Sequence, residues 1–356
     1  MKRLHGSLIF SLFTAALLGA GFVSSTANAV TDRVVVHGLD KPWAVVDGLD
    51  GNVWVTEKPG AIKIFNSTFV LQKTLTGFPD FTPFGEGGIL DLAFHPKFKS
   101  NGWIYVAYSV MESGGYFTRV NRFTYRGGKL EEHKVIFNGP TGTAGTHFGC
   151  RLLFDDEGFL LASFGERREM WKAQDMSLAN GKIVRLTDDG EIPRTNPFGR
   201  RSPIFTLGHR NPQGLAIHPL SRKIYDSEHG PTVYDAPEGG DEINEITAGT
   251  NYGWPNFHHR MEGPGVQAPL LEYTPAVAPS GIAFYVGSKI PAWRNDLFVA
   301  TLRGKHLLRI RIDAKGRVIE TEKLLDQKYG RLRDVTTAPD GSLLVISEAG
   351  KMIQLK

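Results

Sequence analysis

Cysteine is nearly absent from this 356-residue sequence. Cys150 stands alone, so the chain cannot form an internal disulfide and must take its stability from its core and from any bound metal. Runs of one charge are absent as well, because 41 lysines and arginines are interspersed with 37 aspartates and glutamates. With a formal net charge of +4, this mixture indicates no nucleic-acid partner.

The sequence also lacks an unbroken apolar run of the roughly 20 residues that a membrane-spanning helix requires. Its most apolar stretch, Leu8 to Val23, is interrupted by Ser, Thr and Gly and follows Lys2 and Arg3. Ala27-Asn28-Ala29 then supplies an A-x-A cleavage site, so residues 1–29 are typical of a secretory signal peptide. We therefore predict a mature chain, residues 30–356, that is periplasmic or secreted, has no stable membrane insertion and carries a formal charge of 4 − 2 = +2.

Two further patterns are missing. Helical periodicity longer than two turns is not found outside the predicted signal peptide. The 11 histidines form no transition-metal motif, because the adjacent His258 and His259 would diverge on a strand and no third ligand follows at a standard spacing. Because helical periodicity is missing, the mature chain is expected to be built from strands.

A strand, a turn and a second strand recur six times along the sequence. The units are 48 to 67 residues apart and begin at Trp43, Asp91, Leu152, Leu215, Ile282 and Val335. This spacing exceeds the roughly 40–45 residues of a simple propeller blade, so the excess must lie in loops. We predict an all-β, six-bladed β-propeller as the single domain of residues 30–356. A pair of β-sandwiches is the alternative, but it would not need six units.

Strands near the two chain ends, Arg33 to His37 and Lys351 to Leu355, are candidates for closing the ring.

The stretch GHRNPQG, Gly208 to Gly214, places three polar side chains on a tight connection between two strand-like runs. By itself it is equally well explained as a polar turn. It is followed in order by SEHGP (Ser227 to Pro231), GGDEINEI (Gly239 to Ile246) and NYGWP (Asn251 to Pro255). This ordered series resembles the soluble quinoprotein glucose dehydrogenases and aldose sugar dehydrogenases, which use pyrroloquinoline quinone (PQQ).

The resemblance implies that His147, in HFGCRLLF, is the catalytic base and that Glu166 is its acidic partner. A hairpin between them would return both residues to the same end of a blade. The carboxylate would then orient the imidazole and favour its protonated form. The chain differs from the family at two places here, because Cys150 replaces a usual Gly and Glu166 a usual Asp.

The resemblance also implies a cofactor site made of Glu86, Arg210, Asn211, Arg303, Arg331 and Arg333. The arginines of GRLRDV, Arg331 and Arg333, alternate by two and share one side if the segment is extended. Two guanidinium groups on one side repel each other unless an anion lies between them, and PQQ carries three carboxylates. Solvated surface arginines are the alternative. Arg303 stands where the family normally has Lys.

Calcium is the second cofactor that the resemblance implies. The backbone carbonyls of Gly230 and Pro231 would hold calcium against PQQ, as oxygen ligands suit this hard ion. Glu242 and Tyr252 resemble residues of a second, structural calcium site. Alternatively, Asp241 and Glu242 form only a hydrated turn.

The function implied by the resemblance is oxidation of the C1 hydroxyl of aldose sugars to the lactone. His147 would remove the hydroxyl proton while a hydride passes to the quinone C5, and an external acceptor would remove the electrons. The protein would be a monomer or a weak dimer. A calcium-dependent sugar lactonase is one alternative, although it has no use for the arginines. A non-enzymatic propeller that binds glycans or proteins is the other, and it is favoured by the differences at Cys150, Glu166 and Arg303.

Overall fold

Short antiparallel strands make up almost all of the regular structure in the computed structural model, which describes Met1 and residues 29–356. The predicted signal peptide therefore lies outside the described residues apart from its two ends. Thr31–Lys356 form one compact unit. Within the described part of the chain, helix is limited to α1 (Phe98–Asn101) and two 3-10 turns, Met170–Gln174 and Pro291–Trp293. None of these helices is long and apolar enough to cross a membrane.

The strands that the structure describes form six four-stranded sheets, which we call blades 1 to 6. Blades 1 and 2 consist of β2 (Pro42–Asp47), β3 (Val53–Glu57), β4 (Ala61–Phe65) and β5 (Leu71–Leu75), then β6 (Ile89–Phe94), β7 (Trp103–Glu112), β8 (Gly115–Arg126) and β9 (Lys129–Asn138). Blades 3 and 4 consist of β10 (Leu152–Phe154), β11 (Leu160–Phe164), β12 (Lys182–Leu186) and β13 (Ile204–Leu207), then β14 (Pro212–Ile217), β15 (Ile224–Glu228), β16 (Asp241–Ile246) and β17 (Leu271–Tyr273). Blades 5 and 6 consist of β18 (Pro279–Phe284), β19 (Leu297–Thr301), β20 (Leu307–Ile312) and β21 (Val318–Leu324), then β22 (Leu332–Thr337), β23 (Leu343–Ser347), β24 (Lys351–Leu355) and β1 (Asp32–Val36).

This arrangement confirms the prediction of an all-β, six-bladed propeller. Each predicted unit corresponds to the first two strands of one blade, and the first strands of successive blades contact one another around the ring. The second strands, such as β3 and β11, are buried along their whole length because neighbouring blades cover both of their faces. The outermost strand β5 is mostly exposed. These burial patterns explain why the second strand of most units is a nearly continuous apolar run. The exception is β15, which buries Asp226, Ser227 and Glu228.

The ring is closed by hydrogen bonds between the two chain ends. Strand β1 pairs with β24 in antiparallel register, with Asp32 opposite Leu355 and Val34 opposite Ile353. The sequence-based proposal for the closing strands is therefore confirmed. This pairing completes blade 6 and covers the edge that β24 would otherwise expose.

A buried ion network ties the inner strands together below the site described next. The Arg151 guanidinium lies 3.1 Å from Asp334 Oδ2 and 3.5 Å from Asp91 Oδ1, and it covers the Trp43 ring at 4.1 Å. Its Nε also donates to the Gln213 carbonyl at 2.6 Å. These contacts join blades 1, 2, 3, 4 and 6 at the centre of the propeller, and they give the loops above them a rigid base.

Candidate functional site

A cavity of 190 Å³ lies where loops from all six blades meet. The first and second strands of each blade are antiparallel. The loop that precedes the first strand and the loop that follows the second strand therefore lie at the same end of the blade. The cavity is lined by Trp43, Lys58, Glu86, Gly149, Asn211, Gln213, His229, Leu302, Arg331, Arg333 and Glu348. Of the 12 site residues that the sequence predicts, four lie in this lining: Glu86, Asn211, Arg331 and Arg333.

His147 and Glu166 form a buried pair beside this cavity. The Nδ1 atom of His147 is hydrogen-bonded to Glu166 Oε1, and both side chains are almost fully buried. Glu166 is held in turn by its backbone, since its N–H donates to the Arg210 carbonyl at 2.9 Å and its carbonyl accepts from Asn180 Nδ2 at 3.0 Å. The two ends of the β10–β11 hairpin therefore meet, as the spacing of 19 residues suggests.

The pKa of His147 is lowered from its usual value. Burial is the main cause and the positive charge of Arg210 adds to it, whereas the hydrogen bond to Glu166 acts in the opposite direction. The sequence-based expectation that Glu166 favours the protonated imidazole is confirmed in its direction, but burial outweighs the carboxylate, so the net shift of the pKa is downward. A neutral imidazole that donates from Nδ1 to Glu166 presents an unprotonated Nε2, which is the form that a general base needs.

The backbone around His147 is held in an unusual conformation. His147 has a φ of +56°, and its N–H donates to Glu86 Oε2 at 2.8 Å. Its carbonyl faces Gly165, where an added Cβ would lie only 2.2 Å from that oxygen. Glu86 is therefore a support for the loop that carries His147 as well as a residue of the cavity wall, and Gly165 is required for the close approach.

Arg331 and Arg333 both contact the carboxylate of Glu348, which lies between them. The anion expected between these two arginines is therefore the carboxylate of Glu348 in this structure. Arg333 is largely buried, with 11% of its side chain exposed against 46% for Arg331. Burial lowers the pKa of Lys58 in the same cavity, and the charge of Arg333 adds to this effect. Three cationic side chains thus converge on one pocket with a single carboxylate between two of them.

Arg210 and Asn211, the two predicted cofactor residues of the GHRN loop (Gly208 to Asn211), have different environments. Arg210 is buried and donates from Nε and Nη2 to Asp235 Oδ2 at 3.0 and 2.8 Å, so its fork is already occupied by a carboxylate. Asn211 lines the cavity, and its Oδ1 accepts from Gly149 N and Gln213 Nε2, both at 3.3 Å. The turn itself depends on Gly208, whose φ is +78° and whose Cβ would lie 2.1 Å from Asn251 Oδ1.

Arg303 lies outside the cavity lining. More than half of its side chain is exposed, and it forms an ion pair with Glu238. Its neighbour Leu302 lines the cavity instead. The structure therefore does not bring Arg303 together with the other predicted cofactor residues.

The four predicted calcium residues lie around one small cavity in blade 4. Gly230, Pro231, Glu242 and Tyr252 all line it, so the structure does not separate them into the two sites that the sequence suggests. The hydroxyl of Tyr252 already donates to the Glu245 carbonyl at 2.7 Å. Any cation contact of Tyr252 would therefore fall to its backbone oxygen.

The alternative of a hydrated turn at Asp241 and Glu242 is wrong, because both residues are buried in β16. Asp241 accepts from Gly230 N at 2.8 Å and from Val277 N and Ala278 N at 2.7 and 2.6 Å. It therefore holds the loop that carries the Gly230 carbonyl.

Sequence reasoning missed three ionisable residues of the main cavity: Lys58, His229 and Glu348. His229 lies within the SEHGP motif, whose histidine could have been considered a site residue. Its Nε2 is buried without a hydrogen-bond partner, and burial lowers its pKa to about 3, with Arg210 and Arg333 adding to the effect. Lys58 and Glu348 each follow the second strand of a blade, and no sequence motif marks them.

Comparison with known proteins gives a consistent assignment. A family model described as Glucose / Sorbosone dehydrogenase matches residues 39–354. Aldose sugar dehydrogenase YliI of Escherichia coli is 35% identical over 350 residues, which cover 92% of this chain and 92% of YliI. Quinoprotein glucose dehydrogenase B of Acinetobacter calcoaceticus is 27% identical over 420 residues, covering 91% of this chain and 86% of the relative.

Two solved structures have the same architecture. The apo-form of the soluble aldose sugar dehydrogenase from Escherichia coli superposes with a TM-score of 0.84 at 33% identity, covering 92% of this chain and 99% of that one. The PQQ-bound form of aldose sugar dehydrogenase from Streptomyces coelicolor gives a TM-score of 0.80 at 29% identity, covering 92% and 98%. The propeller and its order of blades are thus shared along nearly the whole chain.

Proposed function

Because the chain belongs to the glucose/sorbosone dehydrogenase family, we propose that it is an oxidoreductase that oxidises aldose sugars at the C1 hydroxyl to the lactone, with PQQ as cofactor. The observation that carries this proposal is the buried His147, oriented by Glu166, beside a cavity lined by the cationic side chains of Lys58, Arg331 and Arg333. A base and an anion-binding pocket in this proximity suit hydroxyl oxidation by an anionic cofactor.

The residues of the main cavity fit PQQ by charge and by hydrogen bonding. PQQ carries three carboxylates, and Lys58, Arg331 and Arg333 can pair with such groups through charge-assisted hydrogen bonds. The buried Nε2 of His229 has no hydrogen-bond partner among the described residues, as is expected of a group that contacts a ligand. Arg303 is not needed for this arrangement, because its own partner is Glu238.

His147 would act on the sugar hydroxyl. When bound, PQQ supplies an electrophilic quinone carbon, C5, that takes up the hydride from the sugar C1. The neutral imidazole of His147 would accept the C1 hydroxyl proton at Nε2 while Glu166 holds Nδ1–H and stabilises the imidazolium that forms. Glu86, through its bond to the His147 N–H, would keep the ring in position.

Calcium would bind at the small cavity of blade 4. The carbonyls of Gly230 and Pro231 and the carboxylate of Glu242 are hard oxygen ligands in the same cavity wall, which fits this ion. Bound there, calcium would supply positive charge beside the PQQ site, since His229 lines both cavities. We propose further that the protein is periplasmic, passes its electrons to an external acceptor and is a monomer or a weak dimer.

Titration of the purified apo-protein with PQQ and Ca²⁺ tests the function directly. We expect stoichiometric uptake of PQQ, followed by reduction of an artificial dye when aldoses are added. Absorbance spectra measure the first step and dye bleaching the second. A protein that takes up no PQQ but hydrolyses sugar lactones would instead be a calcium-dependent lactonase, and one that does neither would be a non-enzymatic binding propeller.

The pH dependence of the reaction follows from the lowered pKa of His147. Because burial holds this pKa below its usual value of 6.5, the base stays neutral on acidification past 6.5 and is protonated only at lower pH. We therefore expect kcat/KM to fall on the acid side with a midpoint below 6.5. Glu166→Gln removes an interaction that raises the pKa, so it should move that midpoint to still lower pH. A midpoint at or above 6.5 in the unaltered enzyme would contradict the assignment.

A further inference from the structure

Blade 4 contains a second group of buried polar residues outside the main cavity. Asp226 and Glu228 are two residues apart in β15, and Glu242 and Asn244 are two residues apart in β16. The register pairs Asp226 with Asn244 and Glu228 with Glu242, so all four side chains share one face of the sheet. Three carboxylates are thereby gathered in the interior of the blade.

His209 joins this group from the GHRN loop. Its Nδ1 lies 3.3 Å from Glu228 Oε1 and 3.6 Å from Asp226 Oδ2. Its Nε2 lies 2.9 Å from Thr206 Oγ1, and its ring stacks on Tyr252 at 4.8 Å. The imidazole is therefore locked with Nδ1 facing two carboxylates.

Among the residues that the structure describes, no lysine or arginine side chain lies within ion-pair distance to balance the negative charge of this group. Both carboxylate oxygens of Asp226 are buried without a hydrogen-bond partner, and the residue is 0% exposed. In the described part of the chain, His209 is the only basic side chain within ion-pair distance of Asp226, Glu228 or Glu242. Such an arrangement is costly unless a cation or protons neutralise it.

We propose that His209 Nδ1, Asp226 and Glu228 bind a divalent first-row transition cation such as Zn²⁺. Their ligand atoms all lie within 4.8 Å of one another. A tetrahedral zinc with bonds of about 2.0–2.2 Å separates its ligand atoms by about 3.3–3.6 Å, which matches the separations of 3.3 and 3.6 Å from His209 Nδ1. An imidazole nitrogen favours zinc over calcium, which takes oxygen ligands. Asn244 Nδ2 donates to Glu228 Oε1 at 3.2 Å and so helps to hold this carboxylate in place.

The cation would stiffen the loop above it. Glu228 Oε2 accepts from Arg210 N at 2.8 Å, so a metal on Glu228 Oε1 would fix the strand end that holds the GHRN loop. The site adjoins the proposed calcium position without coinciding with it, because Glu228 lines the cavity of Gly230 and Pro231 whereas His209 and Asp226 do not. The inference rests on these contacts alone and holds whether or not the protein binds PQQ.

Zinc binding to the chelator-stripped protein tests the proposal. We expect one equivalent of Zn²⁺ to remain after dialysis, measured by elemental analysis, and the Tm to rise with Zn²⁺. In Asp226→Asn the affinity should fall by more than the roughly 10–100-fold that loss of an outer-shell partner costs. With Zn²⁺ the unaltered protein should have the higher Tm. After metal is stripped, Asp226→Asn should have the higher Tm, because the variant no longer buries an unpaired carboxylate.

A matched control is Asp241→Asn, which removes a buried carboxylate from the neighbouring strand. Asp241 bonds to the N–H groups of Gly230, Val277 and Ala278, so its loss should lower the Tm equally with and without Zn²⁺ and leave the zinc content unchanged. Calcium should shift the Tm of the unaltered protein and that of Asp226→Asn by the same amount. The proposal is overturned if the stripped protein retains no zinc, or if Asp226→Asn retains as much zinc as the unaltered protein.

Discussion

His147→Ala is expected to lower turnover by about 10²- to 10⁴-fold, the usual contribution of general acid–base catalysis. The reason is local, because the alanine leaves no group that can accept the sugar hydroxyl proton beside the cavity. PQQ binding should survive, since Lys58, Arg331 and Arg333 lie on blades 1 and 6. Steady-state dye reduction at saturating PQQ measures the first quantity, and a PQQ titration measures the second.

Glu166→Gln should lose a smaller part of this rate, because it keeps the shape of the partner but removes its charge. Glu166→Asp shortens the side chain by one methylene, and a large loss there would show that this pocket is built around the longer acid. His133→Ala is the matched control, since His133 is exposed on β9 and bonds only to Asn121. Full turnover in His147→Ala with PQQ bound would rule out His147 as the base.

Arg333→Ala is expected to weaken PQQ binding by roughly 10- to 150-fold. This range corresponds to the loss of a hydrogen bond to a charged group, about 1.5–3 kcal/mol. Arg331→Ala should have a smaller effect, because solvent screens its more exposed charge. Fluorescence or absorbance titration with PQQ gives the dissociation constants.

Arg317→Ala serves as the control for the loss of one positive charge. Arg317 is exposed and pairs with Asp313 in the turn between β20 and β21, outside the cavity lining. Its removal should leave PQQ affinity unchanged. Equal affinity in the unaltered protein, Arg331→Ala and Arg333→Ala would show that the two arginines serve only to pair with Glu348.

The order of strands and turns was readable from the sequence because it depends on local chemistry. Asp-Gly, Glu-Gly or Asn-Gly turns between apolar runs mark the hairpins, and six such units need a ring to cover their faces. The pairing of β1 with β24 was also suggested by the two apolar segments at the ends of the predicted domain. His147 and Glu166 were identified through the family resemblance, and their spacing of 19 residues, which a hairpin permits, predicted that they lie at the same end of a blade.

Which charged side chains form ion pairs could be determined only from the tertiary structure. Glu348 lies between Arg331 and Arg333 and contacts both. Arg303 instead forms an exposed ion pair with Glu238. No local sequence pattern links the partners in either case. The net pKa shift of His147 likewise depends on burial, which its neighbours in sequence do not determine.

The cluster of His209, Asp226 and Glu228 was hidden from the sequence for a related reason. Its ligands come from a loop and from alternate positions of a strand, so they follow none of the spacings that mark a helical or hairpin metal motif. Local turn and strand propensities act over a few residues and therefore determine the blades. Electrostatic contacts act through space, so the contents of the site depend on how the six blades are packed around their axis.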